Sequence, residues 1–468
     1  MPYKLYEILE KFTHYDWQQA ESFLKNSFYN TDESLVVYFE LVKKIVLDKK
    51  HFEKEAIYRE VFGKNVSFNE VKLRAKRSSL LQVIQQYIIA KKLKEDTYTQ
   101  QVLYLSFLRE NDFMQDYKRI FDTLNEELDK QNLRDATHYN KKFELLDDYN
   151  FFSEKTFVRQ DNKFDEAIYY LDVFYIVKKL RYACNVVNHH KVIAGKVEMG
   201  FIKDILVEIE DAKYLKIPIV QIYFTIYKMF TSNSTENSEH FYTAKKLMED
   251  YGKQINFDEL RDIYFFLINF CTRKINAGEQ AFMREIYNLF LYTLKTKIIF
   301  QDAYLSPWNY KNICTVALQL QEYAWVKQFI KTYQKYLKED FAENAYNYNL
   351  ARYYFSLRKY EKTLQLLQEV EYTDLYYSLD SKSMLLKTYY LLNETNALFS
   401  LIDSFRRYIH RNKLISDLQR TNYLNMIRFI NRLSIIHPRD SKKRAVLKQQ
   451  IEECKQVADK KWLLSQFD

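Results

Sequence analysis

The sequence is poor in the two residues that most often interrupt helices. Its 468 residues include 5 Gly and 4 Pro, whereas globular proteins average about 7% and about 5%. Strands joined by tight turns depend on Gly, Pro and Asn-Gly at fixed positions, so this composition disfavours antiparallel sheets. We therefore predict an all-α fold with short connections between its helices.

Cysteine is scarce and long apolar runs are missing. The four cysteines lie far apart in apolar helical segments, as reduced structural thiols usually do. No apolar run approaches the roughly 20 residues that cross a bilayer. The segment after Met1 becomes charged too early for a signal peptide. We expect a soluble protein of the cytoplasm without membrane insertion.

Motifs that support catalysis or cofactor binding are also missing. Gly63-Lys64 lacks the preceding glycine and the following hydroxyl residue of a phosphate-binding loop, and no serine has the glycine neighbours of a nucleophile elbow. Cys184, His189 and His190 come nearest to a metal site. Adjacent histidines on a helix point about 100° apart, however, and no second ligand pair follows. We predict a non-enzymatic protein with no catalytic residue, no metal and no cofactor.

The residues that the chain has in abundance are aromatic and, near the C-terminus, basic. Aromatic residues make up 17% of the chain, with 41 Tyr. Between Leu401 and Lys448 twelve basic residues stand against three acidic ones, and the whole chain has a net charge of +9. A basic region attracts nucleic acid, an anionic surface or an acidic protein, and it is also typical of a solvated helix surface. Its candidate nucleic-acid contacts are Arg406, Arg407, Arg411, Lys442, Lys443 and Arg444.

The first 95 residues are expected to form a small helical domain. Thr31-Asp32-Glu33 is a start signal for an apolar helix, and Gly63 is a stop signal after a segment that begins at Lys54. A longer helix from Glu70 to Lys92 follows a polar loop. Four basic residues near its start are candidate nucleic-acid contacts: Lys72, Arg74, Lys76 and Arg77.

This N-terminal domain has two resemblances. It resembles the N-terminal part of helical-repeat proteins from Bacteroidota, a family that implies no activity, although Phe62 stands where those proteins often have proline. The segments concerned are Phe23 to Asn30, Ile57 to Lys64, and Lys72-Leu73-Arg74 ahead of Ser78 and Leu80-Leu81. The order of helix, loop and basic helix is also similar to helix-turn-helix domains of the winged-helix family, which bind DNA. No strand pattern for a wing follows Tyr87.

The next range, residues 96–300, shows helical apolar spacing without an even period. The lengths of its segments predict antiparallel helical hairpins that stack on one another. A polar segment at residues 231–238 predicts a loop with a helix cap at its end. We assign this range to irregular helical-hairpin repeats without an unstructured linker.

A regular repeat begins at Ser306-Pro307, with Ser as the N-cap and Pro as the first helical residue. Three units superimpose with offsets of 37 and 35 residues, close to the roughly 34-residue tetratricopeptide period. Their matched positions are Ile313, Leu320, Tyr323 and Ile330, then Leu350, Leu357, Tyr360 and Leu367, then Leu385, Leu392, Thr395 and Ile402. A pair of amphipathic helices cannot bury both apolar faces alone, so stacking on a similar neighbour is expected.

The middle unit resembles the tetratricopeptide family, in which the first helix of each unit lines a concave groove. Agreement is found at Leu350, Ala351, Tyr354 and Tyr360, and departures are found at Thr363 and Val370, where small residues are expected. By helical phase, the groove-facing positions alternate basic and aromatic residues: Trp308, Lys311, Tyr348, Arg352, Phe355, Lys387 and Tyr390. Such a groove would suit an extended peptide with acidic or C-terminal carboxylate groups. The alternative is that half of these side chains pack against neighbouring helices.

Two further helices are predicted before the chain ends, Asp417 to Ile436 and Ser441 to Leu464, with Pro438 between them. Their basic surface suits the polar cap that a repeat array needs at its end. The predicted divisions of the chain are therefore residues 1–95, 96–300, 301–415 and 416–468.

These features predict a right-handed α-solenoid of stacked, tetratricopeptide-like helical hairpins with a small N-terminal helical domain. The predicted function is a scaffold or adaptor that binds a protein partner through its repeat surface. The alternative is a nucleic-acid-associated regulator that uses basic helices near either end, and strongly salt-dependent binding of DNA or RNA would favour it. An enzyme whose site is assembled from scattered residues has no positive support, and no oligomeric state is predicted.

Overall fold

Most of the chain that the structure describes folds into helices. The computed structural model describes residues 4–48, 53–155, 162–189, 198–210, 213–370 and 375–467. These residues form 23 α-helices and contain no β-strand, apart from one isolated bridge between Gln301 and Tyr304. The prediction of an all-α fold is therefore confirmed.

The helices follow one another with short connections. In chain order they are α1 (Lys4–Leu9), α2 (His14–Leu24), α3 (Glu33–Leu47), α4 (Lys54–Phe62), α5 (Glu70–Glu95), α6 (Thr97–Glu110), α7 (Met114–Lys130), α8 (Ala136–Lys155), α9 (Phe164–His189), α10 (Ile202–Glu210), α11 (Pro218–Thr231), α12 (Ser234–Tyr251), α13 (Phe257–Asn276), α14 (Phe282–Lys295), α15 (Pro307–Gln319), α16 (Tyr323–Tyr333), α17 (Glu339–Ser356), α18 (Tyr360–Gln368), α19 (Leu375–Leu392), α20 (Thr395–Arg411), α21 (Asp417–Ile435), α22 (Ser441–Glu453) and α23 (Lys460–Leu464). Three 3-10 turns occur at Tyr214–Lys216, Gly252–Gln254 and Gln334–Tyr336.

The chain divides into two compact units. The first comprises Met1–Gln131 and Thr137–Asp172, and the second comprises Asn132–Ala136 and Val173–Asp468. Within each unit, helices that are adjacent in sequence pack against each other as pairs, which is the arrangement of an all-α repeat fold. The four divisions expected from the sequence remain a prediction.

Helices α1–α5 share one hydrophobic core in the first unit. Trp17, Phe39, Leu80 and Ile84 are at most 1% exposed at its centre. The predicted start and stop signals lie where expected, because the Asp32 side chain caps α3 and Gly63 follows α4.

A buried carboxylate joins α2 to α5 at the edge of this core. Asp16 is 5% exposed and forms a capping box with Thr13 at the start of α2. Its Oδ1 accepts hydrogen bonds from the Tyr87 hydroxyl at 3.0 Å and from Lys91 Nζ at 2.6 Å. Burial alone would raise the pKa of this carboxyl, but the hydrogen bonds from Lys91, Thr13 and Tyr87 outweigh it. They hold the pKa well below the ordinary value of 3.8.

We expect Asp16 to make the N-terminal core sensitive to acid. Because the pKa is lower in the folded state, the stabilising contribution of Asp16 is fully present above about pH 4, the pKa of the unfolded chain, and is lost as the pH falls from there toward the lower pKa of the folded state. Asp16→Asn should cost about 1–3 kcal/mol at pH 7 and should reduce the loss of stability below about pH 4. Urea unfolding at a series of pH values measures both effects. Tyr87→Phe keeps the charge and should keep most of the pH dependence. An Asp16→Asn protein as acid-sensitive as the wild type would contradict the assignment.

The regular part of the second unit repeats one turn geometry three times. Gln321, Arg358 and Asn393 have φ of 61°, 59° and 57°, and they follow α15, α17 and α19 at the offsets of 37 and 35 residues found in the sequence. After each of them a backbone N–H donates to the carbonyl five residues earlier: Glu322 to Ala317, Lys359 to Tyr354 and Glu394 to Tyr389. This pattern is the Schellman C-cap. The three turns therefore share one backbone geometry at the spacing of the apolar pattern, and the same C-cap also ends α6 and α13.

The first helices of these pairs lie side by side. α15 contacts α17, α17 contacts α19, and α19 contacts α21. The second helices, α16, α18 and α20, each pack against the helix before and the helix after them in the chain. The first helices thus form a layer of their own, and the surface that carries the seven predicted groove residues is called the first-helix surface below.

Two predicted segments are wrong. Residues 231–238 are not a loop throughout, because the Asn233 side chain accepts from the backbone N–H groups of Thr235 and Glu236 and starts α12 at once. The last predicted helix is interrupted between α22 and α23. At this break the backbone N–H of Ala458 donates to the carbonyl of Asn422 on α21 at 3.1 Å, a tertiary hydrogen bond that replaces the helical one.

Within the described ranges, no helix combines the length and the apolar content that crossing a membrane would need.

Candidate partner-binding site

The first-helix surface begins on α15 with an aromatic residue and a buried cation. Trp308 is 37% exposed, and Lys311 Nζ lies 4.7 Å from the centre of its ring. The same ammonium forms an ion pair of 2.7 Å with Asp380 Oδ2 on α19, and it lies 5.1 Å from the ring centre of Tyr377. Lys311 therefore ties α15 to α19 rather than pointing to solvent.

The middle of the surface is formed by α17. Tyr348 is 1% exposed, because the Tyr377 ring packs edge-on against it at 5.0 Å. Its hydroxyl lies 3.3 Å from Nη1 of Arg352, one helical turn further on. Burial raises the pKa of the Tyr348 hydroxyl, so the phenol is neutral and accepts this hydrogen bond. Phe355 follows on the same face, partly buried.

On α19 the surface meets the C-terminal segment, residues 454–467. Asp459 Oδ2 accepts from Lys387 Nζ at 2.6 Å and from Ser383 Oγ at 3.0 Å. Trp462 lies edge-on to Tyr390 with the ring centres 5.8 Å apart. Burial would raise the pKa of the Asp459 carboxyl, but the charge and hydrogen bond of Lys387, with help from Ser383, lower it below 3.8. Asp459 is therefore ionised at neutral pH.

Charges on this surface are unevenly compensated. Lys311 and Lys387 each have a carboxylate partner. Among the described residues no carboxylate lies within 4.0 Å of the Arg352 guanidinium, although Asp380 and Asp459 are close enough to act on it through space. Lys311, Lys387 and Arg352 carry three positive charges, and Asp380 and Asp459 carry two negative ones. This surface therefore has one net positive charge, centred on Arg352. Arg352 has five N–H donors, and its hydrogen bond to Tyr348 uses one of them.

The seven predicted groove residues therefore form one connected cluster, with different degrees of burial. Trp308, Arg352, Phe355, Lys387 and Tyr390 reach the surface, whereas Tyr348 and Lys311 are buried beneath it. Four residues that complete the surface were missed by sequence reasoning: Tyr377, Asp380, Asp459 and Trp462. The phase of a single helix does not indicate them, because each of them reaches the surface through a contact with a residue of another helix.

The N-terminal candidates for nucleic-acid contact lie near the start of α5. Lys72 and Arg74 are exposed, and Arg77 is partly buried. Lys76 bonds Asp32 and, at 2.6 Å, Ser34 Oγ, so its ammonium fixes the start of α3. These residues do not form a uniform cationic face.

The C-terminal candidates fall into two groups. Arg407 and Arg411, one turn apart on α20, line a shallow groove with Lys413, while Arg406 is partly buried. On α22, Lys442 is exposed and Lys443 pairs with Asp440 at 3.0 Å. Arg444 is occupied within the protein, because it donates to the Gln466 carbonyl at 2.6 Å and lies over the Phe467 ring.

The buried cysteines, including Cys184 in the segment that comes nearest to a metal site, have the environments of structural thiols. Cys184, Cys271 and Cys314 are buried and all four cysteines are free thiols. Burial raises the pKa of these three thiols. The Cys184 Sγ donates to the Tyr223 carbonyl at 3.4 Å, while the side chain of His189 and all of His190 lie outside the described residues. In the described part of the chain, no three His, Cys, Asp or Glu side chains are grouped as metal ligands would be.

Comparison of this chain with protein-family models, with curated proteins and with solved structures finds no significant match.

Proposed function

We propose that this protein is a non-enzymatic scaffold of the cytoplasm that binds a segment of a partner protein on the first-helix surface. The fold proposed with it is a right-handed, tetratricopeptide-like solenoid, supported by the three equivalent turns and by the side-by-side first helices. Kinship with the helical-repeat proteins of Bacteroidota is part of the proposal and is supported only by the N-terminal sequence segments named above.

The observation that carries the proposal is that Arg352 lies among partly exposed aromatic rings without a carboxylate at ion-pair distance in the described part of the chain, although Asp380 and Asp459 act on it through space. A guanidinium with unused N–H donors favours a carboxylate ligand through charge-assisted hydrogen bonds. Trp308, Phe355 and Tyr390 on either side supply apolar area, and aromatic and arginine residues are the side chains most enriched in binding hot spots. A partner segment with acidic groups meets both requirements.

The test is photo-cross-linking in a lysate of the protein's own host. A benzoylphenylalanine replaces Trp308 on the first-helix surface, and a control protein carries it at Gln365, exposed on α18. We expect a specific protein to be cross-linked from position 308 and not from position 365, with equal yield before and after nuclease treatment. Cross-links that are the same from both positions, or none from position 308, would overturn the proposal.

A second candidate function is association with nucleic acid. It is favoured by the groove that Arg407, Arg411 and Lys413 line, since none of these three cations has a carboxylate within ion-pair distance among the described residues. Basic grooves of this kind contact phosphates without reading sequence. The nuclease-treated half of the cross-linking experiment separates the two functions, because a partner held through nucleic acid would be lost there.

A further inference from the structure

The last two repeats present the same three positions to the first-helix surface. With the 35-residue offset, Tyr348, Arg352 and Phe355 on α17 correspond to Ser383, Lys387 and Tyr390 on α19. Each set consists of a hydroxyl, a cation one turn later, and an aromatic ring three residues after the cation. The Schellman turns at Arg358 and Asn393 have the same 35-residue offset.

In the α19 set these three positions are occupied by the protein's own C-terminal segment. Asp459 places its carboxylate between Ser383 and Lys387. Three residues later Trp462 packs on Tyr390 and lies 5.9 Å from Lys387 Nζ. Asp459 has φ 52° and ψ 37°, a left-handed conformation that costs an L-residue about 1 kcal/mol or more. The contacts of this carboxylate and of the residues that follow it offset that cost.

In the α17 set the corresponding place holds no carboxylate from the described residues. Arg352 keeps unused N–H donors and Phe355 is partly exposed. On α15, Lys311 occupies the position that corresponds to Tyr348 and forms an ion pair with Asp380. The cations on α15 and α19, Lys311 and Lys387, are therefore each paired with a carboxylate of the chain, whereas Arg352 on α17 has no carboxylate within ion-pair distance among the described residues.

We propose that the α17 set, Tyr348, Arg352 and Phe355, binds a segment of the partner in which an acidic residue is followed three residues later by an aromatic one. The bound segment copies the contacts of Asp459 and Trp462 on α19. Arg352 binds the carboxylate, Tyr348 positions the guanidinium by accepting one of its N–H groups, and Phe355 receives the aromatic ring. This specificity rests on the proposed function and adds the chemistry that the partner must carry.

The test uses the protein's own motif as the probe. The peptide of residues 455–467 is made with a fluorescent label and an amidated C-terminus, so Asp459 is its sole carboxylate. Binding to the full-length protein is followed by fluorescence anisotropy. We expect Arg352→Gln to weaken binding at least about tenfold, because a charge-assisted hydrogen bond is lost. Arg352→Lys should restore part of the affinity. Peptides that carry Asp459→Asn or Trp462→Ala should bind more weakly to the wild-type protein.

A matched protein variant tests whether the peptide binds by displacing the protein's own C-terminal segment from α19. Ser383→Ala removes a hydrogen bond to Asp459 on α19, whereas a change at Lys387 would also disturb Phe355, whose ring centre lies 5.4 Å from Lys387 Nζ. Binding by exchange would therefore change in the Ser383 variant and not at Arg352. The proposal is overturned if the Ser383 variant, and not the Arg352 variant, alters the affinity. It is also overturned if the peptide with Asp459→Asn binds as well as the unmodified peptide, or if binding to the wild-type protein is weaker than about 1 mM. A partner that cross-links from position 308 while the peptide fails would leave the scaffold function intact and remove only the acid-and-aromatic specificity.

Discussion

Replacement of Trp17 by alanine should lower the free energy of unfolding of the N-terminal core by about 3–5 kcal/mol. Trp17 is 1% exposed, and its ring lies 5.7 Å from that of Phe12 and 5.3 Å from that of Phe39. Its removal leaves a cavity at the point where α2, α3 and α5 meet, and the surrounding side chains can fill only part of it. The cost therefore includes lost burial and an unfilled volume.

Hydrogen exchange by mass spectrometry measures this loss for each helix, which matters because a chain with two compact units need not unfold in one step. Amides of α2, α3 and α5 should lose at least about 100-fold of their protection. Phe28→Ala is the matched control. This aromatic residue belongs to the same unit but is 85% exposed, so its loss should change stability by less than about 0.5 kcal/mol. Equal effects of the two substitutions would contradict the assignment of Trp17 to the core.

Trp17→Phe at the same position tests the cost of the buried indole N–H group. The Trp17 Nε1–H group is buried and has no hydrogen-bond partner among the described residues, and an unsatisfied buried donor costs roughly 1–3 kcal/mol. Trp17→Phe removes that donor together with part of the ring. Its net cost should therefore be well below that of Trp17→Ala.

Short-range signals were sufficient for much of the helical pattern. Asp32 caps α3, Ser306 caps α15, and Gly63 follows the last residue of α4. Each of these features depends on residues within one or two turns of the helix, so a single sequence contains the information. The helical phase, which depends on the same short range, brought the seven predicted groove residues into one cluster, in which Lys311 and Tyr348 are buried.

Contacts between distant parts of the chain could not be predicted in this way. Lys311 and Asp380 are 69 positions apart, and Lys387 and Asp459 are 72 positions apart. Tyr348 is buried because Tyr377 on α19 packs against its ring. The repeat period alone does not indicate this contact. The interruption between α22 and α23 also depends on a distant contact, the hydrogen bond from the Ala458 N–H to the Asn422 carbonyl. Helical phase thus grouped residues that lie close together in the structure, but it did not indicate which of their charges would already be paired.

Asp380 is the carboxylate that pairs with Lys311. Asp380→Ala should lower the free energy of unfolding of the second unit by about 2–4 kcal/mol. Its Oδ2 accepts from Lys311 on α15, and its Oδ1 accepts from the Tyr423 hydroxyl on α21 at 2.9 Å. Lys311 has 9% of its side chain exposed, so without Asp380 its ammonium is left beside two aromatic rings with no counter-ion. The 32% exposure of Asp380 lets water replace part of the interaction, and for that reason the expected cost lies below that of a fully buried pair.

A double-mutant cycle separates the penalty of the stranded ammonium from the value of the ion pair. Lys311→Met removes the charge and keeps the length of the side chain. If the stranded charge dominates, Lys311→Met combined with Asp380→Leu should be more stable than Asp380→Leu alone, because an apolar pair can replace a buried ion pair at little cost. Denaturant unfolding of the four proteins gives the coupling energy. Strict additivity of the two substitutions would show that Asp380 stabilises the first-helix layer through Tyr423 alone.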